Sequence, residues 1–546
     1  MERSRLQPRH VRVPGDANAV HPESPGLLGA RGRALLLVVL FIVARIGLFR
    51  NLSSPVLGWR PADLAGIAVN YYRDGFHFLY PEVLWGGSGP GYVEMEFPAI
   101  PFATALLFEV FGVHEWVCTL VMLGMGVGIV YVTYRFAARL FDRRAALLAA
   151  AFAATAPTLV MLTTTGMWPD PPMVFFGELG LYLLVRWADE RRSPLLVAAV
   201  ASVALATCLK LTALYLGFPV LAIFVYAEGR SWWRRSRVWA CAAGMLLPAL
   251  LWYAHGYRLF LESHLTFGIL GGGYSKLGST ALLANPRFYV KTAAKVFLYD
   301  VTPLATLGLL YGMWVRGARG PMRRGERAPD PSWAFCAIWF GSVVLYALVA
   351  ATGVSLGHYH YLLPILPIGC IAGAAGLVVV ADRSSARWGL SAAKSLGAVL
   401  AALLANAVVS GVLFVRVDRA FDDSLWQAQK QTGRRVGELT KPGSLLVVVD
   451  HQMDDVTPER SMTPPDVFYF ADRHGFYRSM AWLTLPEVER LHALGARYVV
   501  VSGISADRFK ALHGELFEQL SRDAKKIMDD RDGVVFDLDV ERGAGS

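Results

Sequence analysis

Long uncharged apolar runs alternate along this chain with short basic segments. The runs fall near 33–50, 115–134, 145–162, 170–187, 193–209, 211–227, 237–254, 293–315, 332–351, 359–381 and 394–415. Each is close to the ~20 residues that a helix needs to cross a hydrocarbon core, which predicts roughly eleven spans. One further apolar segment, FPAIPFATALLFEVFGV (97–113), is short for a crossing and carries two prolines near its start. Charge decides how it is read. If 97–113 does not cross, then RFAARLFDRR (135–144), RWADERRS (186–193), EGRSWWRRSR (228–237), VRGARGPMRRGER (315–327) and DRSSARW (382–388) all share one side with the N-terminal tail. Basic loops stay in the cytoplasm, so 97–113 is expected to be a re-entrant or interfacial helix, with the N-terminus inside and the C-terminus outside.

Two stretches break the membrane pattern. The segment 51–101 follows the first span but carries acids, aromatics, glycines and prolines. Within it, PADLAGIAVNYYRDG places Leu64, Ile67, Ala68 and Tyr71 at the spacing of a helix with one apolar face. Pro61 suits the start and Gly75 the stop, so Asp63 is expected in the first turn of a short helix lying on the membrane surface. Beyond about 416 the pattern changes again. SLLVVVDH (444–451), ARYVVVSG (496–503) and GVVFDLDV (533–540) read as strands, and TLPEVERLHALG (484–495) and DRFKALHGELFEQLSRDAKKI (507–527) as helices. The fold expected is a polytopic α-helical membrane protein with a small extracytoplasmic α/β domain. Its parts are a disordered cytoplasmic tail (1–32), a transmembrane domain (33–415) with an outer loop and juxtamembrane helices at 51–113, and the α/β domain at 416–546.

Composition agrees with this pattern. Of 546 residues 54% are hydrophobic, and the mean hydropathy is +0.40, which a soluble chain of this size rarely reaches. The net charge of +10 gathers in the loops between spans, so it marks topology and not nucleic acid. Cys118, Cys208, Cys241, Cys336 and Cys370 lie in or beside apolar runs with no CxxC pair, and read as buried thiols.

The topology gathers chemistry on the outer face. Asp63, Glu94 and Glu96 come from the first loop, Asp170 from the start of the fourth span, and Lys210 from the turn between spans five and six. The segment 255–292 adds His255, Arg258, His264, Tyr274, Lys276 and Arg287, and GHYHYLLPILP (357–367) adds His358, Tyr359, His360 and Tyr361. Each has a plain alternative. Asp63 could only complement a helix dipole. Glu94 and Glu96 share one side of an extended segment and could hold a divalent metal or simply be solvated. Two histidines are a weak metal signal beside the aromatic residues of an interface. Lys210 could snorkel, as could Arg45, which could also meet an anionic headgroup.

In order, four features carry a family likeness: Asp63 in the amphipathic segment after the first span, EMEFPAIPFATALLFEVFG (94–112) leading to a basic RLFDRRAALLAA turn (139–150), Asp170 before the fourth span with Lys210 after the fifth, and YLLP (361–364) before a late span. Together they resemble GT-C membrane glycosyltransferases of the protein O-mannosyltransferase and aminoarabinose-transferase group. The likeness implies an integral protein of a bacterial plasma membrane that takes a polyprenyl-phosphate sugar from the bilayer. Its acceptor would be a hydroxyl of a glycan, lipid or protein on the extracytoplasmic side. It implies inverting transfer, with Asp63 as general base and Lys210, His358, His360 and Arg287 near the donor phosphate. Asp170, Tyr274, Tyr359 and Tyr361 would line the site, and a divalent metal on Glu94 and Glu96 could assist. A polymerase or ligase using diphosphate-linked donors, or a transporter, shares much of this pattern.

Overall fold

The computed structural model describes residues 29–46, 58–271, 275–317, 330–355, 359–389, 391–416, 424–450, 465–480, 483–531 and 533–539. Its first helix, α1 (Ala30–Ile46), is followed by α2 (Trp59–Asp74) and α3 (Ala99–Phe111). α2 is not the one-sided surface helix expected. Every residue from Pro61 to Tyr71 is buried, because α3 covers one flank, the loop after α2 another, and a C-terminal helix a third. Ring contacts knit the α2–α3 seam: Tyr71 meets Phe102 at 5.5 Å, and Tyr72 meets Phe108 at 6.2 Å. The helix also begins earlier than Pro61 suggested, so Asp63 lies beyond the first turn. That removes the dipole explanation for this acid. α3 has 13 residues, about 20 Å of helix, against a hydrocarbon core of about 30 Å, so it cannot cross alone.

The membrane body continues through α4 (Glu115–Leu140), α5 (Arg143–Thr155), α6 (Pro157–Leu162), α7 (Asp170–Glu190), α8 (Ser193–Leu209), α9 (Gly217–Glu228) and α10 (Ser236–Ser263). It then runs through α11 (Thr280–Leu283), α12 (Pro286–Lys295), α13 (Pro303–Gly312), α14 (Pro331–Val349), α15 (Ala351–Ser355), α16 (Ile365–Trp388) and α17 (Ala392–Arg416). Among the described residues six helices are long and apolar enough to cross a membrane, or seven if the bent pair Pro286–Asp300 and Pro303–Val315 is one span. The other expected spans fall on α1, the interrupted α5–α6 pair, α7 and α8, which are shorter or more charged. The run at 293–315 is not straight: its halves meet at 108°. Pro303 opens the second half, where it can give no N–H to the preceding turn. α10 is longer than its apolar run and carries His255 and Arg258 on its last turns, not in a loop.

Arg45 does not snorkel. It is 1% exposed and donates to Thr163 Oγ1 at 3.0 Å and to the carbonyls of Ala154 and Phe41, both at 3.1 Å. The break at Ala156–Pro157 leaves carbonyls at the end of α5 without helical partners, and the guanidinium satisfies one of them. Small residues let α13 and α16 touch backbone to backbone: a Cβ on Gly376 would stand 1.8 Å from the Gly308 carbonyl oxygen.

The chain closes with α18 (Ser424–Leu439), β1 (Leu445–Asp450), α19 (Asp466–Ala471), β2 (Gly475–Ser479), α20 (Leu485–Ala493), β3 (Ala496–Ser502), α21 (Ala506–Leu512), α22 (Gly514–Asp523), β4 (Lys525–Asp530) and β5 (Gly533–Asp537). The five strands form one sheet, ordered β2-β1-β3-β5-β4. β1 is parallel to both neighbours, and β5 is antiparallel to β3 and β4. The valine runs of β1 and β3 are central and buried on both faces. One expectation fails here. The predicted helix 507–527 breaks at His513, and its last residues form β4. KKIMDD is an edge strand with only Met528 fully buried, so its charges mimic a solvated helix face.

Candidate active site

The end of the first loop is woven into the protein, which fixes its acids. Glu94 N donates to Leu265 O at 3.0 Å and Phe267 N to Glu94 O at 2.8 Å, so residue 94 lies beside residue 266 as a strand bridge. Trp252 Nε1 donates to Met95 O at 3.0 Å, and Phe97 N to Cys208 O at 3.2 Å. The last of these anchors the loop next to Lys210.

Alternation in a straight strand would put both carboxylates on one side, but here they meet different partners. Glu94 accepts from the Thr266 hydroxyl and from Leu270 N at 2.9 Å. Burial raises its pKa, against the pull of those donors. Glu96 instead faces the cations. Burial pushes its pKa up, but Arg60, Lys210 and Lys276 outweigh that and hold it below the usual carboxylate range. Its Oε2 lies 3.7 Å from Arg60 Nη1. The two expected metal ligands thus have different neighbours: Glu94 accepts from the 266–270 turn, and Glu96 faces the cation cluster. Among the described residues no group of three or more His, Cys, Asp or Glu side chains could hold a metal ion.

Asp63 is 3% exposed, and its Oδ1 accepts from Trp85 Nε1 at 2.9 Å. Burial raises its pKa to about 8, although Arg60 and the indole N–H pull it down; Asp466 and Glu96 add to the rise. Arg60 sits one helical turn before Asp63, between this acid and Glu96, with its guanidinium 4.3 Å from the Phe267 ring.

Lys210 caps the C-terminal end of α8, and Asp170 opens α7. They meet as a buried ion pair, Lys210 Nζ to Asp170 Oδ1 at 2.7 Å, with Lys210 also 4.9 Å from the centre of the Tyr361 ring. Lys210 therefore does not snorkel. His360 packs against Trp168 and Tyr361 with tilted rings, their centroids 5.4 and 4.7 Å away. Lys276 donates to Gly268 O at 2.8 Å. Burial lowers its pKa, opposed by Glu96 and helped by Arg60 and Lys210. Three buried atoms in this cluster, Arg60 Nη1, Glu96 Oε2 and Asp170 Oδ2, have no hydrogen-bond partner among the described residues.

The structure thus brings together Asp63, Glu96, Asp170, Lys210 and Tyr361, with His360 beside them. Other candidates lie elsewhere. Arg287 is exposed on α12. Tyr359 packs against Tyr299 and Phe414, beneath Lys295. Tyr274 and His358 lie outside the described residues. Sequence reasoning did not single out Arg60, Trp85 or Asp466. Arg60 had a signal, its i, i+3 spacing from Asp63. Trp85 and Asp466 had none, because only tertiary structure brings them to α2.

Comparison with known proteins shows what the fold resembles. ArnT from Cupriavidus metallidurans bound to undecaprenyl phosphate superposes with a TM-score of 0.61 at 17% identity, covering 95% of this chain and 100% of that one. The oligosaccharyltransferase AglB from Archaeoglobus fulgidus, in complex with an inhibitory peptide and a dolichol-phosphate, superposes with a TM-score of 0.55 at 12% identity, covering 86% of this chain and 69% of that one. The chain shares the fold of these two proteins, and its long apolar helices make it an integral membrane protein. Residues 95–253 match the dolichyl-phosphate-mannose-protein mannosyltransferase family, a stretch that holds Glu96, Asp170 and Lys210 but not Asp63. YycA of Bacillus subtilis, described as a candidate mannosyltransferase, is 28% identical over 165 residues, which span 30% of this chain and 23% of that protein.

Proposed function

We propose that this protein moves a sugar from a polyprenyl-phosphate donor to an acceptor hydroxyl, with inversion at the anomeric carbon. The observation that carries this reading is the buried Asp63 carboxylate beside a cluster of buried cations. An acceptor hydroxyl is a weak nucleophile. As its oxygen attacks the anomeric carbon, its proton passes to Asp63, and the bond from that carbon to the donor phosphate oxygen breaks. The leaving polyprenyl phosphate gains negative charge, which Arg60, Lys210 and Lys276 can stabilise. The unsatisfied Arg60 Nη1 is a donor suited to a phosphate oxygen. No step of this scheme requires a metal ion.

The reaction is assigned to the extracytoplasmic face. Every strongly basic loop then stays in the cytoplasm, and the site lies at the opposite ends of α7 and α8 from the basic segment joining them. The fold shared with an oligosaccharyltransferase keeps a ligase acting on lipid-linked glycans as the second reading. Purified protein should consume polyprenyl-monophosphate sugars and release polyprenyl phosphate once an acceptor is supplied. Turnover of diphosphate-linked donors alone would favour the ligase. Liposome flux with no sugar transfer would overturn both readings in favour of a transporter.

A further inference from the structure

The C-terminal sheet reaches the reaction centre through one loop. β2 is an edge strand of that sheet, and its free edge takes up residues 84–87. Gly475 N donates to Leu84 O at 3.0 Å, Gly87 N donates to Gly475 O at 2.8 Å, and Gly86 pairs antiparallel with Phe476. The approach is one that only glycine allows. Gly87 has φ +86, and a Cβ there would stand 2.7 Å from the Phe476 ring.

Between these bonds projects Trp85, 4% exposed, with its indole N–H on Asp63 Oδ1 at 2.9 Å. The rest of the loop is held as firmly. Val83 N donates to Gly91 O at 2.8 Å, Val93 N to Pro81 O at 3.0 Å, and Asn70 Nδ2 to Glu82 O at 2.9 Å. At the far end of α2, Arg73 pairs with Asp472, just before β2, at 2.5 Å.

We propose that Trp85 is the positioning residue for Asp63, and that the C-terminal sheet, through β2, holds Trp85 in place. The inference rests on Asp63 being the base. A carboxylate side chain can rotate about its χ2 torsion, and a single fixed donor on one oxygen stops that rotation. The second oxygen then faces the acceptor hydroxyl. Indole is a donor only, so it can orient the carboxylate without competing for the acceptor's proton. The C-terminal sheet becomes part of the catalytic apparatus instead of a lid over it.

The test uses the full-length protein with a polyprenyl-phosphate sugar. Trp85→Phe keeps an aromatic ring in the pocket and removes the N–H. It is expected to lower kcat on the order of 10- to 100-fold with the donor KM unchanged, and to move the rising limb of the kcat–pH profile to higher pH. Phe476→Ala touches neither Asp63 nor Trp85, yet loosens the clamp. It is expected to shift the same limb in the same direction, with a smaller loss of kcat. A merely structural role would lower melting temperature and active fraction without moving the profile, and that result in both variants overturns the inference. If Trp85→Phe does not fold, the profile of Phe476→Ala decides. Unshifted profiles together with an inactive Asp63→Asn variant would leave the base reading intact and reject only the positioning role. Turnover by Asp63→Asn would reject both.

Discussion

Asp63→Asn is expected to lower sugar transfer on the order of 10²- to 10⁴-fold while leaving polyprenyl-phosphate binding unchanged. The amide keeps the size of the side chain and can still accept from Trp85 Nε1, but it cannot take the acceptor's proton at neutral pH. The wild type should show the matching pH dependence. Burial raises the Asp63 pKa to about 8, and the ionised form is the base, so kcat should rise about tenfold per pH unit up to about 8 and level off above it. Stability should move the opposite way. The folded pKa lies above the unfolded value of about 3.9, so between those limits the folded state binds more protons, and stability falls as pH rises. Asparagine has no such titration. The melting temperature of Asp63→Asn should therefore gain on the wild type between pH 5 and pH 8. Near-wild-type turnover in this variant would remove Asp63 as the base. A flat pH profile in the wild type would do the same.

Much of the membrane body was legible because hydropathy over ~20 residues is a strong, local signal, as α4, α10 and α14 show. The chemistry was partly legible for the same reason. A buried charge in an apolar neighbourhood, such as Asp170 or Lys210, stands out from its flanks. What could not be read was which side of a short element would be covered. α2 has an amphipathic sequence, but α3, the 83–85 loop and α19 enclose it all round, and α19 lies far from it in the chain. Trp85 carried no signal of its own, because β2, distant in the chain, is what holds its loop. Glu94 and Glu96 shared a side only in an ideal strand; the bridge to residue 266 turned one into a turn ligand and left the other among cations. The bend of 108° after α12 was likewise invisible to hydropathy, which counts apolar residues and not helix direction.

Lys210 and Asp170 pose the second large test, because their ion pair could be either a strut or part of the reaction. With side-chain exposures of 11% and 2%, it is buried enough that removing one partner leaves an uncompensated charge. Lys210→Met and Asp170→Asn should therefore each cost about 3–5 kcal/mol of stability. Buried ion pairs are often replaceable by neutral residues of similar volume with little loss. The double variant Asp170→Asn, Lys210→Met should thus recover most of the melting temperature lost by either single change. Activity should not follow stability. Glu96 would lose a cation that helps hold it ionised, and the leaving phosphate would lose a positive neighbour, so the double variant should remain at least on the order of 10-fold slower. Lys210→Arg, which keeps the charge but widens the head group, should fall between the double variant and the wild type. A double variant that regains both folding and wild-type kcat would show that the pair only braces the junction of α7 and α8, and would leave Arg60 and Lys276 to bear the donor phosphate.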